Sequence, residues 1–302
     1  MAAERYTVVG LGELIWDLLP AGRQLGGAPA NCAYHAHLLG DRAVVASRVG
    51  ADELGALAVT RLGAQGLETT YLQHETEHPT GTVGVVVDAR GEPTFAVNEN
   101  SAWDYLEWTP AWAELARRAD AVCFGTLGQR AEAARATITR FLAATRPGAL
   151  RLFDVNLRHS FFTPDMLRRS LRLADVCKLN EEELTQTAVM LGYAEREAVA
   201  VARRLLAEFT LRLVAVTRGA RGSLLVSATD TAAHPGVRVR VADCIGAGDA
   251  FAAALLHGCL RGASLAQMSA AANRLGAWVA SRVGATPPPD PDVLAAVRRE
   301  LS

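Results

Sequence analysis

Lysine is almost missing from this chain of 302 residues: Lys178 is the only one, and the other 30 residues of the Lys+Arg total of 31 are arginine. No Gly-Lys pair exists, so a phosphate-binding loop of the form G-x-x-x-x-G-K-[ST] is excluded. Cysteine is scarce and unpatterned. Cys32, Cys123, Cys177, Cys244 and Cys259 are odd in number and never spaced C-x-x-C. That argues against a disulfide framework or a zinc site and for reduced thiols. Long apolar runs are absent; none approaches the roughly 18 residues of a membrane span. No h-region precedes the strand-like Thr7-Val8-Val9, so no signal peptide is read; a cytoplasmic protein with no membrane partner is expected. An excess of one charge is missing too. The formal net charge of -1 removes any global attraction to nucleic acid.

What is present is an ordinary core composition, 50% hydrophobic and 21% charged. Short apolar runs alternate with amphipathic stretches. Strands are expected at 6–11, 43–47, 83–88, 121–125, 151–155, 175–179, 213–217, 223–227 and 237–241. Helices are expected at 30–39, 53–66, 111–118, 131–145, 164–173, 181–191, 196–208, 247–261, 264–282 and 291–300. This order predicts βαβ crossovers and a mostly parallel sheet. Residues 81–101 break the alternation and read as a hairpin turning at Arg90-Gly91-Glu92. With residues 14–26 they are expected to form a small β lid on a single domain spanning 1–302.

In a parallel sheet, ligands bind beyond the carboxyl ends of the strands. Polar residues follow several apolar runs: Glu13 and Asp17; Asp154, Asn156 and Arg158; Asn180 with Glu181, Glu182 and Glu183; Thr217-Arg218-Gly219. The sharpest motif is Asp243-Cys244-Ile245-Gly246-Ala247-Gly248-Asp249. Small residues at 246–248 let backbone approach a ligand closely, and the helix start that follows offers unpaired N–H groups to an anion. Asp249, in its first turn, is either a helix cap or a carboxylate that accepts a proton from a substrate hydroxyl. A second motif, Gly26-Gly27-Ala28-Pro29-Ala30-Asn31, opens a helix with a residue that can both donate to and accept from a hydroxyl. Gly10-Leu11-Gly12 suggests a dinucleotide-binding turn, but Ile15 stands where its third glycine belongs.

With these motifs in order, the chain closely resembles the ribokinase-like (PfkB) sugar kinases from Val9 to Ala285. The matching segments are Gly12-Glu13 to Asp17, Gly26 to Asn31, Arg48-Val49-Gly50, Asp154-Val155-Asn156-Leu157-Arg158, Asn180 to Glu183, Val216 to Gly219 with Gly222, and Gly246 to Asp249. Trp16-Asp17-Leu18-Leu19-Pro20 and the D-x-N-x-R segment make it most similar to fructokinases. The resemblance implies a three-layer α/β/α fold with a mostly parallel central sheet and a β lid. It also implies ATP-dependent phosphorylation of a primary sugar hydroxyl, fructose first. 2-Keto-3-deoxygluconate, ribose and nucleosides are the alternative acceptors, and a non-catalytic sugar-binding regulator is a remote one.

By position, the resemblance makes Asp249 the base and Gly246, Ala247 and Gly248 the anion hole. Asp17, Gly26, Gly27, Asn31, Asp154 and Arg158 fall to the sugar side. Asn180, Thr217, Gly219, Gly222 and Asn273 fall to ATP. Glu183 would organise Mg2+ through water, and the carbonyls of Asp243, Ile245, Ala280, Val283 and Gly284 would hold K+. A homodimer through the lid is the partner arrangement it allows. Two departures stand out. Cys244 replaces a hydroxyl or small residue, and Asn98-Glu99-Asn100-Ser101 lacks the aromatic and arginine pattern of many fructokinases. Lys178 either faces phosphate or ends in solvent. Trp103 and Trp108 read as packing residues in preference to a sugar or dimer contact.

Overall fold

Consecutive residues of the central strands face opposite cores. Val8, Cys123, Leu152 and Ala215 belong to one buried cluster; Val9, Phe124, Phe153 and Val216 belong to another. The two-residue period of a strand dictates this, and it requires a helical layer on each side. The computed structural model describes residues 5–19, 22–87 and 93–301.

In chain order these begin with β1 (Thr7–Leu11), β2 (Ile15–Leu19), β3 (Gly22–Gly26), α1 (Ala28–Leu39), β4 (Arg42–Ala46), β5 (Arg48–Gly50), α2 (Glu53–Ala64) and β6 (Gln73–Glu75). Next come β7 (Gly81–Val87), β8 (Pro93–Val97), α3 (Pro110–Arg118), β9 (Ala121–Gly125), α4 (Glu132–Ala143), β10 (Leu150–Asp154), α5 (Pro164–Leu173) and β11 (Val176–Asn180). The last group is α6 (Glu181–Leu191), α7 (Ala198–Phe209), β12 (Leu213–Thr217), β13 (Ser223–Val226), β14 (Thr231–His234), α8 (Ala247–Leu260), α9 (Leu265–Ala280) and α10 (Pro291–Glu300).

The main sheet has the order β14-β13-β12-β11-β10-β9-β1-β4. Its six strands from β12 to β4 are parallel, and β13 and β14 close it antiparallel. Helices α3 to α7 pack on one face; α1, α8, α9 and α10 pack on the other. The architecture is therefore the expected three-layer α/β/α.

Local chemistry sets the helix starts. Thr109, Thr163 and Asp290 cap α3, α5 and α10, each with proline in the first turn. None of the helices formed by the described residues is long and apolar enough to cross a membrane.

A second sheet, β3-β2-β7-β8, stands apart from the first. The hairpin expected from 81–101 is present as antiparallel β7 and β8, and β2 and β3 join it as anticipated. Its expected turn at 90–92 lies outside the described residues, as does Pro20. Ile15 and Val83 of this sheet pack on Trp103 and Leu127. Trp103 is fully buried with Arg130 stacked 4.0 Å from its ring, and Trp108 meets Phe141 edge-on. Both are packing residues.

One strand is misplaced by the sequence pattern. Residues 237–241 alternate Val and Arg but form no strand. The edge position goes to β14, because Ser227 and Asp230 bond to each other and turn the chain back early. Residues 237–241 run past the sheet, leaving Val239 and Val241 exposed.

Candidate active site

Two helix starts meet at the carboxyl ends of the parallel strands. α8 begins at Gly246, whose left-handed φ of 78° and close approach to Ala285 demand glycine; a Cβ there would lie 2.5 Å from the Ala285 Cα. Asp243 shapes the preceding loop. Its Oδ1 accepts the Ile245 N–H and its Oδ2 accepts the Gly284 N–H, both at 3.0 Å, clasping two loops together. The first N–H groups of α8 lack helical partners, which makes this end attractive to anions. α1 begins at Gly27, with φ of 113°, where a Cβ would lie 2.4 Å from the Glu13 carbonyl oxygen.

The Asn31 side chain donates from Nδ2 to Asp249 Oδ2 at 2.8 Å, joining the two helices. Asn31 is buried, whereas Asp249 keeps part of its surface open. Burial pushes the Asp249 carboxyl above its ordinary value. Lys178, the Asn31 hydrogen bond and Arg158 pull it back. A carboxylate made more basic by burial, with cations nearby, has the chemistry of a proton acceptor for a hydroxyl.

Beneath this pair lies a compact charge cluster. Lys178 is neither a solvated end nor free to meet a ligand. It is 7% exposed, and its Nζ contacts both Asp154 oxygens at 3.0 and 2.9 Å. Burial works against the ammonium, but Asp154, Asp249 and Glu183 hold its pKa above the usual lysine range. Asp154, expected to touch sugar or phosphate directly, is 2% exposed and committed to Lys178. The reason is register: β10 and β11 are parallel neighbours with Asp154 opposite Lys178.

Glu13 completes the cluster. It is 2% exposed; Oε1 accepts the Ala28 N–H at 3.2 Å, and Oε2 has no partner. Burial and the Asp249 charge raise its pKa to about 7.

Asp17, on β2, is half-buried, and its Oδ2 would lie 3.2 Å from a Cβ at Gly26. Burial and the Asp243 charge raise its pKa to about 6. Arg158 is exposed and holds no carboxylate in its hydrogen bonds; with Asn180 and Glu183 it lines a polar cavity of about 270 Å³. A second cavity, of about 390 Å³ and mostly apolar, lies between Val237 and Val239 on one side and Arg274, Ala277, Trp278 and Ser281 on the other.

Thr217 ends β12, and Gly219 and Gly222 bound the short 3-10 turn after it. Asn273 does not line either cavity. It is buried, and its amide donates to Ser223 Oγ and the Ser269 carbonyl, both at 2.7 Å.

The metal-directed residues divide in the same way. Both Glu183 oxygens are occupied: Oε2 accepts the Asn180 N–H at 2.8 Å and Oε1 the Leu157 N–H at 3.1 Å. Each oxygen keeps one lone pair beyond its backbone N–H, free for water or a cation. Among the described residues no group of three or more His, Cys, Asp or Glu could hold a metal ion. Of the five carbonyls expected around potassium, that of Ala280 already accepts the N–H groups of Ala242 and Asp243. Those of Asp243, Ile245, Val283 and Gly284 lie on the two loops that the Asp243 side chain clasps. Carbonyl oxygens on clasped loops suit a weakly hydrated monovalent ion better than Mg2+, which holds its water tightly.

Sequence reasoning gave no role to Glu13 and left Lys178 open. The signal for Lys178 was available: the only lysine lies in an apolar strand, level with an aspartate in the next one. Glu13 carried no such signal, because its isolation depends on how α1 packs against β1.

The model of the pfkB family carbohydrate kinases matches residues 21–292. A fructokinase of Escherichia coli is 34% identical over 264 residues, 82% of each chain. An aminoimidazole riboside kinase of Salmonella typhimurium is 28% identical, covering 94% of this chain and 92% of its own. The structure of an uncharacterized sugar kinase from Pyrococcus horikoshii in complex with ATP superposes with a TM-score of 0.81 at 27% identity, over 98% of this chain and 100% of that one. The fold is ribokinase-like, and the chain belongs to the pfkB family of carbohydrate kinases.

Proposed function

We propose that this protein uses ATP to phosphorylate a primary hydroxyl of a sugar, with fructose as the preferred acceptor and Asp249 as general base. The observation that carries the reading is the Asp249 carboxylate, fixed by buried Asn31 at the open amide end of α8. A sugar hydroxyl placed against Asp249 loses its proton as the phosphoryl group arrives, and the amides of Gly246, Ala247 and Gly248 receive the phosphoryl charge. Asp17, Gly26, Gly27 and Asn31 are the proposed sugar contacts. The apolar cavity beside Ala277 and Trp278 fits a nucleobase, and Thr217, Gly219 and Gly222 border its phosphates.

Mg2+, held through water near Glu183, would neutralise phosphate charge. K+ on the loop carbonyls would steady the anion site. The whole chain acts as one kinase unit, with the sheet β3-β2-β7-β8 as its lid. Gln24 of that sheet supports the lid role, because its Oε1 would lie 3.0 Å from a Cβ at Gly284 beside the anion loop. Closure there excludes water from the transfer.

Similarity to a fructokinase favours fructose; similarity to a riboside kinase supports a riboside as the second reading. A coupled ADP-release assay with MgATP, with and without K+, separates them across fructose, ribose, 2-keto-3-deoxygluconate and inosine. We expect kcat/KM for fructose to exceed the others at least about tenfold, the discrimination that one or two well-placed contacts supply. A higher value for inosine or ribose would replace fructose as the substrate. Sugar binding without ADP release for any acceptor would remove the kinase reading.

A further inference from the structure

The strongest unexplained feature is the only lysine, held by both oxygens of one carboxylate, Asp154. Lys178 is buried, bonded to both oxygens of Asp154, and close to the anion loop at Gly248. A Cβ at Gly248 would sit 2.9 Å from its Nζ, so the ammonium occupies the space directly under the backbone that precedes Asp249. We propose that the Lys178–Asp154 pair is a positioning device for the catalytic carboxylate: the ammonium under Gly248 fixes the charge and stance of Asp249 and gives the anion loop a cationic floor. This rests on Asp249 being the base.

The surrounding groups leave that task to Lys178. From α1, Asn31 supplies one neutral hydrogen bond. Glu13, after β1, is acidic and adds repulsion. From β9, the Cys123 thiol lies close enough to feel the Asp249 charge, and its hydrogen bond with Cys32, together with burial, raises its pKa and keeps it protonated. From β10, Asp154 is acidic and spent on Lys178. Arg158 contributes a positive charge, but it is exposed and therefore screened by solvent. Glu183, at the start of α6, is acidic and capped by backbone. Lys178 is thus the one buried cation among the described groups that face Asp249. Asp154 holds it by two contacts, which keeps it from collapsing onto Asp249 and blocking the base.

The test reads Asp249 directly. Asp-selective 13Cγ labelling follows the carboxyl through a pH titration, with Asp249→Asn identifying its resonance. Lys178→Met should raise the Asp249 midpoint by about one pH unit or more, the effect of removing an opposite charge at close range. The acid limb of kcat with MgATP and fructose should move the same way.

Lys178→Met strands the Asp154 carboxylate, so Lys178→Met/Asp154→Asn serves as the folding control. It should melt near the wild-type temperature while its Asp249 midpoint stays above the wild-type value. A double variant that folds normally and titrates as wild type overturns the proposal. Wild-type turnover in Asp249→Asn would instead sink the base assignment, and that result comes from a separate variant and a separate readout.

Discussion

The two ends of α8 handle buried charge in opposite ways. At its C-terminal end, Asp41 is fully buried and fully answered. Its Oδ2 meets His257 Nδ1 at 2.7 Å, and its Oδ1 accepts from Arg261 at 2.8 Å. At the N-terminal end, Asp249 has one neutral hydrogen bond, Glu13 has an oxygen with no partner, and burial raises both carboxyls. Each arrangement suits the helix dipole, which favours anions at the start and cations at the end. Only the first is satisfied as it stands. Unanswered buried polarity costs free energy, so a helix that carries it at one end alone marks that end as the place where a ligand completes the set.

The comparison can be broken most sharply at Asp249. Asp249→Asn keeps the shape and removes the proposed base, so kcat should fall about a thousandfold, within the range that general-base removal costs. The melting temperature should be unchanged or higher. Loss of folding together with turnover would make the two ends alike.

At the other end the effect should appear in stability alone. Asp41→Ala leaves His257 and Arg261 without their shared acceptor and should destabilise by about 4 kcal/mol in denaturant unfolding. KM values of the surviving folded protein should not move. A variant that changed KM more than stability would contradict the division.

The third prediction uses pH. Glu13 titrates at about 7 in the folded protein against an ordinary 4.5, so the folded state binds this proton more tightly than the unfolded chain. The stability it contributes is complete below about pH 4.5 and is lost as the pH rises through about 7. Glu13→Gln should therefore be more stable than wild type at pH 8, by up to about 3 kcal/mol, and little different near pH 4. Equal denaturant midpoints at pH 8 would mean that the buried carboxylate is better solvated than its contacts imply.

Much of this was legible beforehand, for identifiable reasons. The Val8-Val9 and Val122-Cys123-Phe124 runs are apolar at every position because the parallel strands are buried on both faces. Gly246 to Asp249 stood out because a tight, ligand-accessible helix start tolerates few residue types. The Val-Arg alternation at 237–241 misled because strand periodicity does not reveal whether a partner is available; the turn at Ser227 had already given the edge to β14.

The chain alone determined the layered fold, the glycine-framed helix starts and the place of the proposed base at one of them, since backbone sterics and local periodicity are encoded within a few residues. Tertiary structure decided which charges answer one another. It locked Asp154 onto Lys178, turned Asn273 into the interior and left Glu13 half-paired. The physical reason is that Coulomb energy and desolvation depend on distance and burial across elements far apart in sequence, and neither can be read from neighbours along the chain.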